Sequence, residues 1–166
     1  FNVEPMCAEV GGVYADGHVH YFDEVVIPTD AHVDMMAAVL RERFPGVTEI
    51  YPDPSGASRS PNTPRSLHQA LRDNGFTVIS RRSAPAHIDR LAAWNRKLKD
   101  ATGKTAMTIS PRCKHLIADC ERTERLADGS IDKKKHDPHA LDAASYAVEY
   151  QWPANYATAQ VLRRWS

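Results

Sequence analysis

The sequence predicts an α/β domain: a mixed sheet that opens with an antiparallel meander, continues through helical crossovers and adds a β-hairpin before its last helix. Two β-rich runs, 6–14 and 18–27, flank Ala15-Asp16-Gly17 at the start of the chain. Beyond them, short apolar runs of strand length alternate with stretches of helical periodicity, an order that favours a sheet with crossovers. A second Asp-Gly pair, Asp128-Gly129, divides residues 123–135 into two arms just before the final helical stretch.

An Asp-Gly pair between β-rich runs signals a hairpin, because a type I′ turn needs positive φ at both central residues. In the second run Val19 and Tyr21 alternate with His18 and His20, which places both imidazoles on the solvent or partner side. Pro28-Thr29-Asp30 then offers a helix cap. Residues 31–43 carry Val33, Met36, Ala37 and Leu40 at helical spacing, and Pro45-Gly46 stops the helix. Residues 47–51 form a strand that runs into Pro52-Asp53-Pro54, followed by a polar loop at 57–64 that contains Arg59. A helix over 64–74 ends at Asn74-Gly75, and the strand 76–80 leads directly into Arg81-Arg82. The helix predicted over 87–99 has Ile88, Leu91, Ala92, Trp94 and Leu98 as its apolar set, with Arg90, Arg96, Lys97 and Lys99 as its charged set.

Gly103-Lys104-Thr105 lacks the glycine five positions earlier that a phosphate loop requires, since Leu98 stands there. Residues 105–109 read instead as a short strand, and a helix begins within 113–120. The hairpin over 123–135 returns through Lys133-Lys134-Lys135, either as a solvated strand edge or as a contact to phosphate. His136-Asp137-Pro138-His139 opens the last helix, with Asp137 as its cap and Pro138 in its first turn. Residues 1–150 form the folded part and 151–166 a tail.

Charge is balanced, 21 Lys and Arg against 21 Asp and Glu, which excludes a generic polycation while allowing a local basic face. Cys7, Cys113 and Cys120 are odd in number and far apart, so reduced thiols are expected. No apolar run approaches bilayer-spanning length and no signal peptide is visible, so the chain reads as soluble and intracellular.

Two places concentrate candidate chemistry. Asp53 ends a strand between two prolines, where α/β sheets collect ligands, though a turn-forming aspartate would look the same. His139 and Asp142 lie three residues apart on one face of the last helix, with Tyr146 one turn on. Small residues around them (Ala140, Ala143, Ala144 and Ala147) let the helix pack closely. An acid and an imidazole on a rigid element suit a hard metal ion, and the plainer reading is a capped helix with two solvated polar residues.

Asp53 after its strand, His139-Ala140-Leu141-Asp142-Ala143 with Tyr146-Ala147, Leu71-Arg72-Asp73-Asn74-Gly75-Phe76 with Arg81-Arg82, and Phe1-Asn2-Val3-Glu4-Pro5-Met6 occur in an order that resembles a known family. It is the nuclease domain of the large terminase subunit of tailed bacteriophages, a ribonuclease-H-like fold. The resemblance spans about residues 1–150. It implies a metal-dependent endonuclease that cuts double-stranded DNA during packaging, with two Mg2+ or Mn2+ ions held by carboxylates. Carried over, Asp53 and Asp142 are metal ligands with His139 as companion. Asp137 is a further ligand or only the cap. Lys133, Lys134, Lys135, Arg81, Arg82 and Arg59 would contact the DNA backbone.

The implied partners are the ATPase domain of the same subunit, the small terminase subunit and the capsid portal, in the cytoplasm of an infected bacterium. In the family the first catalytic aspartate precedes a segment like Phe1-Asn2, so that aspartate is expected to be missing here, with Glu4 and Glu9 as the nearest substitutes. A resolvase- or transposase-like nuclease of the same fold, or a module that binds DNA or portal without cutting, are the alternatives.

Overall fold

The computed structural model describes residues 5–59, 65–127 and 130–154. The opening segment 1–4 with Glu4, the Asp128-Gly129 turn and most of the expected tail lie outside the described residues. Two compact units divide the chain, one of Phe1–Ala8 and Val25–Ala84, the other of Glu9–Glu24 and Pro85–Ser166.

Strands β1 (Met6–Val13) and β2 (Val19–Ile27) are hydrogen-bonded neighbours, joined as expected by a tight turn. The turn is not of the expected type. Gly17 takes φ +81° while Asp16 stays at negative φ, Gly17 N donates to Tyr14 O (2.8 Å), and Tyr14 N donates to His18 O (2.8 Å). This is a three-residue turn with a left-handed glycine at its end, and Asp16 Oδ1 fixes it by accepting from His18 N (2.8 Å). β2 buries Val19, Tyr21, Asp23 and Val25 in strict alternation. It also pairs in parallel with β5 (Met107–Ile109), in the register His20 to Thr108, which makes the sheet mixed. His18 and His20 point away from the buried side and share one partner, the Thr108 hydroxyl, at 3.0 and 2.9 Å.

In the first unit α1 (Val33–Arg43) buries Val33, Met36, Ala37 and Leu40. Its cap is His32, whose Nδ1 accepts from Met35 N (3.2 Å), rather than Thr29 or Asp30. Strand β3 (Glu49–Ile50) pairs in parallel with β4 (Thr77–Val78). The crossover between them holds α2 (Leu67–Asp73), capped by Ser66. α2 ends in a Schellman motif: Phe76 N donates to Leu71 O (3.1 Å), Gly75 N to Arg72 O (2.8 Å), and Gly75 sits at φ +82°. A Cβ there would lie 2.2 Å from Arg41 Nη2, the end of a flexible side chain that can shift, so it is the positive φ that calls for glycine.

In the second unit α3 (His87–Leu98) and α4 (Lys114–Arg122) both pack on α5 (His139–Gln151). α3 is rotated from the expected face. Arg90 is 3% exposed whereas Ile88 is 48% exposed, because the buried stripe runs through residues 90, 91, 93 and 94. Tyr21 stacks obliquely on Trp94 (5.6 Å between centroids) and donates its hydroxyl to Ala144 O (2.9 Å), which ties β2 to α3 and α5. Leu116 and Val148 are fully buried between these elements, worth roughly 1.5–3 kcal/mol each. Cys7, Cys113 and Cys120 are not joined in disulfides. Burial first, and nearby carboxylates second, push Cys113 and Cys120 up to about 11.

Among the described residues the expected second hairpin is reduced to one antiparallel bridge, Arg125 with Ile131, flanked by Leu126 N to Ser130 O (2.8 Å) and Asp132 N to Glu124 O (3.0 Å). Lys133–Lys135 are therefore not a returning strand. They form a turn around Asp132, whose backbone oxygen accepts from Lys135 N and His136 N and whose Oδ1 accepts from Lys134 N.

Candidate active site

Asp53 sits in the first unit, between the buried Pro52 and Pro54, and caps the short 3-10 helix Pro54–Ala57. Its Oδ1 accepts from Ser55 N (2.8 Å), and its carbonyl accepts from Gly56 N and from the buried His68 Nε2 (2.8 Å). Burial holds His68 below its ordinary pKa, which suits a neutral imidazole donating to a carbonyl. The strand end, two prolines and His68 thus fix the backbone that carries this carboxylate, and turn formation and presentation of an acid coexist there.

The start of α5 corrects one expectation. Asp137 does not cap the helix: Pro138 occupies that position and offers no side-chain bond. The cap comes from α4, where buried Asp119 Oδ2 accepts from Ala140 N (2.8 Å) and Leu141 N (3.1 Å) and Oδ1 pairs with His136 Nε2 (2.7 Å). A carboxylate on these amides also meets the positive end of the helix dipole. Asp137 instead pairs with Lys133 (3.0 Å) and lies 3.8 Å from His139 Nε2, beyond hydrogen-bond length. Lys135 pairs with Glu124 (2.5 Å).

Asp142, in the first turn of α5, is 29% exposed at its side chain. Its Oδ1 meets Arg90 Nη2 at 3.1 Å and lies 3.9 Å from His87 Nδ1. Arg90 Nη1 donates to Ser145 Oγ (2.8 Å) and to Asp142 O (3.3 Å), and the guanidinium lies over the Tyr146 ring at 4.3 Å. Arg90 Nη2 also meets His87 Nδ1 (3.3 Å). Since arginine only donates, that ring nitrogen accepts and His87 is neutral. Burial first and Arg90 second hold the His87 pKa down, in agreement. Arg90 Nε is buried without a partner.

Arg81 and Arg82 follow β4, and Arg59 follows the 3-10 helix, all in the first unit, whereas Lys133–Lys135 belong to the second. The second unit also holds an unusual acid. Both carboxyl oxygens of Glu9 on β1 are buried without a hydrogen bond. Burial, then Glu24, Asp119 and Asp23, push this carboxyl up to about 9, so it is protonated at neutral pH. Glu24 is itself engaged by His115 (2.7 Å) and Asp23 by Arg112 (2.9 Å).

Sequence reasoning missed Arg90, His87, Asp119 and His68. Arg90 was legible only through the period 90, 93, 94, which a polar residue disguises. Asp119 and His68 act from elements remote in sequence, and no local signal marks them.

No family model and no curated protein matches the chain. Among solved structures it resembles the nuclease domain of g2p, the large terminase of bacteriophage SPP1, determined with bound Mn. The TM-score is 0.56 at 16% identity, over 91% of this chain and 81% of that one. The chain has the fold of a large-terminase nuclease domain. At this identity the likeness concerns the ribonuclease-H-like fold, with its mixed sheet and flanking helices.

Oxygen donors such as Asp53 and Asp142 are of the type that Mg2+ or Mn2+ takes. Among the described residues, no three His, Cys, Asp or Glu side chains gather closely enough to hold a metal by themselves. No described helix is long and apolar enough to cross a membrane.

Proposed function

We propose that the chain is the nuclease domain of a viral DNA-packaging terminase, hydrolysing phosphodiester bonds of double-stranded DNA with Mg2+ or Mn2+. The observation that carries the reading is the start of α5. Asp142 is oriented there by a buried arginine, in the first turn of a helix whose N-terminus Asp119 caps, within the fold of the SPP1 nuclease domain. Asp142 meets Arg90 through Oδ1 and is the first metal ligand of this reading. Asp53 is the second ligand and Asp137 a further one, close to His139. A bound divalent ion supplies a nucleophilic water and stabilises the leaving oxygen.

The residues of the chain do the rest. His139 stands beside Asp137 to orient water or move a proton. Lys133–Lys135, Arg81, Arg82 and Arg59 hold phosphates without reading bases. The ATPase domain of the same subunit, the small subunit and the portal are the partners this role entails, in the cytoplasm of the infected host.

The test is cleavage of linear, supercoiled and branched DNA with Mg2+ or Mn2+. Metal-dependent cutting of linear and supercoiled duplex that Asp142→Asn abolishes is the expected result. Preference for branched DNA would move the reading to a resolvase-like nuclease. Binding with no cutting of any substrate would move it to a DNA- or portal-binding module.

A further inference from the structure

Glu9 faces the carboxylates that cap two helices of the second unit. Asp119 accepts from Ala140 N (2.8 Å) and Leu141 N (3.1 Å) at the start of α5. Glu24 does the same for α4, accepting from His115 N (2.9 and 3.1 Å to its two oxygens) and Leu116 N (3.2 Å). Each also has a base, His136 on Asp119 (2.7 Å) and His115 on Glu24 (2.7 Å). Asp23, the third acid near Glu9, accepts from Arg112 (2.9 Å) and from Glu24 N (2.9 Å). These donors serve the other three carboxylates, and both Glu9 oxygens are buried with no hydrogen bond.

Such a place tolerates a carboxylic acid and not a carboxylate. A charge there would be unsolvated and would stand beside three like charges. The remaining titratable neighbours are Tyr21 on β2 and the Cys113 and Cys120 thiols at α4, which add no positive charge. From α3 comes Trp94, a donor to Cys120.

We propose that Glu9 is a proton-gated brace for the first turns of α4 and α5. With its proton it sits neutral against the two caps. Without it, repulsion drives Glu24 and Asp119 from their amides, and both helix starts loosen together. The Glu9 carboxyl keeps its proton up to about pH 9, so the brace is set at neutral pH and releases in base. The device goes beyond the nuclease reading, since it is built from β1, β2, α4 and α5 and needs neither metal nor DNA. His139 and Asp142 stand on the turn that Asp119 caps, so release would disturb that turn as well.

The experiment follows amide exchange with solvent by NMR from about pH 6 to about pH 10, corrected for the chemical exchange rate, in the parent chain and in Glu9→Gln. In the parent, protection at His115, Leu116, Ala140 and Leu141 is expected to fall about fivefold to tenfold, the loss of a cap, while Leu91 and Ala93 in α3 hold theirs. Glu9→Gln has no proton to lose at this position and should keep all of these amides protected throughout.

Equal loss in Glu9→Gln, equal loss in α3, or no loss in the parent each overturns the proposal. Should Glu9→Gln not fold by circular dichroism, the carboxyl-carbon resonance of Glu9 in the parent chain decides. It should move with the same midpoint as the loss of protection at Ala140 and Leu141. A Glu9 already ionised at the acid end of the range, or a loss that follows the His115 or His136 imidazole instead, overturns the proposal.

Discussion

Asp53 and Asp142 carry the same side chain into two different kinds of surroundings. At the β3 corner of the first unit, a backbone N–H holds the carboxylate while prolines and His68 hold its main chain. At the start of α5 in the second unit, a buried guanidinium holds it. Neutral donors orient a carboxylate and leave its charge nearly whole, whereas a guanidinium orients it and offsets the charge. In the role proposed for both, their removal is therefore expected to cost the fold different amounts. Removing the charge of Asp142 leaves the buried Arg90 without that counter-charge.

That contrast is sharpest in paired substitutions. Asp53→Asn and Asp142→Asn are each expected to lower metal-dependent cleavage about a thousandfold, roughly 4 kcal/mol of barrier. Their stabilities should part company. Asn at 53 still accepts from Ser55 N, so unfolding by urea should be within about 0.5 kcal/mol of the parent. Asn at 142 leaves a buried guanidinium without its counter-charge, at a cost of about 3 kcal/mol. Equal stability of the two variants would break the comparison.

The next test moves to the cap beneath Asp142. Asp119→Ala removes two helix-cap bonds and the His136 partner at once, all from a buried side chain. About 2–4 kcal/mol of stability should be lost in denaturant unfolding. Asp137→Ala, the residue that sequence reading favoured as the cap, should cost under about 1 kcal/mol, since its pair with Lys133 is surface-exposed. The reverse ranking would restore the local cap.

How much of this was legible follows from how local each signal is. Hairpin, strand ends and helix spans came from turn residues and periodicity, and those hold to within a few residues for α1, α3 and α5. Asp142 and His139 were visible because helical spacing is itself the signal. Arg90 was not, because a buried charge is recognised only by its partners, and Ser145 and Tyr146 lie more than fifty residues away. The cap at Asp137 was misassigned for the same reason: Asp-Pro before a helix satisfies the local rule, and tertiary contact with Asp119 overrides it. The lysine run read as a strand because a lone bridge at Arg125 and the full ladder of a hairpin share one sequence pattern.

Glu9 extends the comparison to an acid whose carboxyl oxygens meet no hydrogen-bond donor among the described residues. Its folded pKa is raised from 4.5 to about 9, so the folded chain binds a proton that the unfolded chain releases over that window. Stability from this group is therefore complete below about pH 4.5 and falls as pH rises toward 9, by ~3 kcal/mol at pH 7. Urea unfolding between pH 5 and 9 should show this decline, and Glu9→Gln should flatten it. An equally steep decline in Glu9→Gln would assign the slope to another group.

The smallest expected effect asks which unit holds DNA. Each phosphate contact contributes a slope of about 0.9 in log affinity against log salt. Arg81→Ala with Arg82→Ala should flatten the slope by about 1.8 if both arginines of the first unit touch phosphate, and replacing Lys133–Lys135 by about 2.7 if all three lysines of the second do. The lysines differ among themselves, however. Lys133 and Lys135 pair with Asp137 and Glu124, so their removal also uncovers a carboxylate that repels DNA. Lys134→Ala should therefore weaken binding least of the three while lowering the slope by the same amount, about 0.9. Binding measured from 50 to 300 mM salt checks both the slopes and the ranking. An unchanged slope in the triple-lysine variant, beside a reduced one in the double-arginine variant, would make the turn around Asp132 a solvated surface and assign the DNA contact to the first unit.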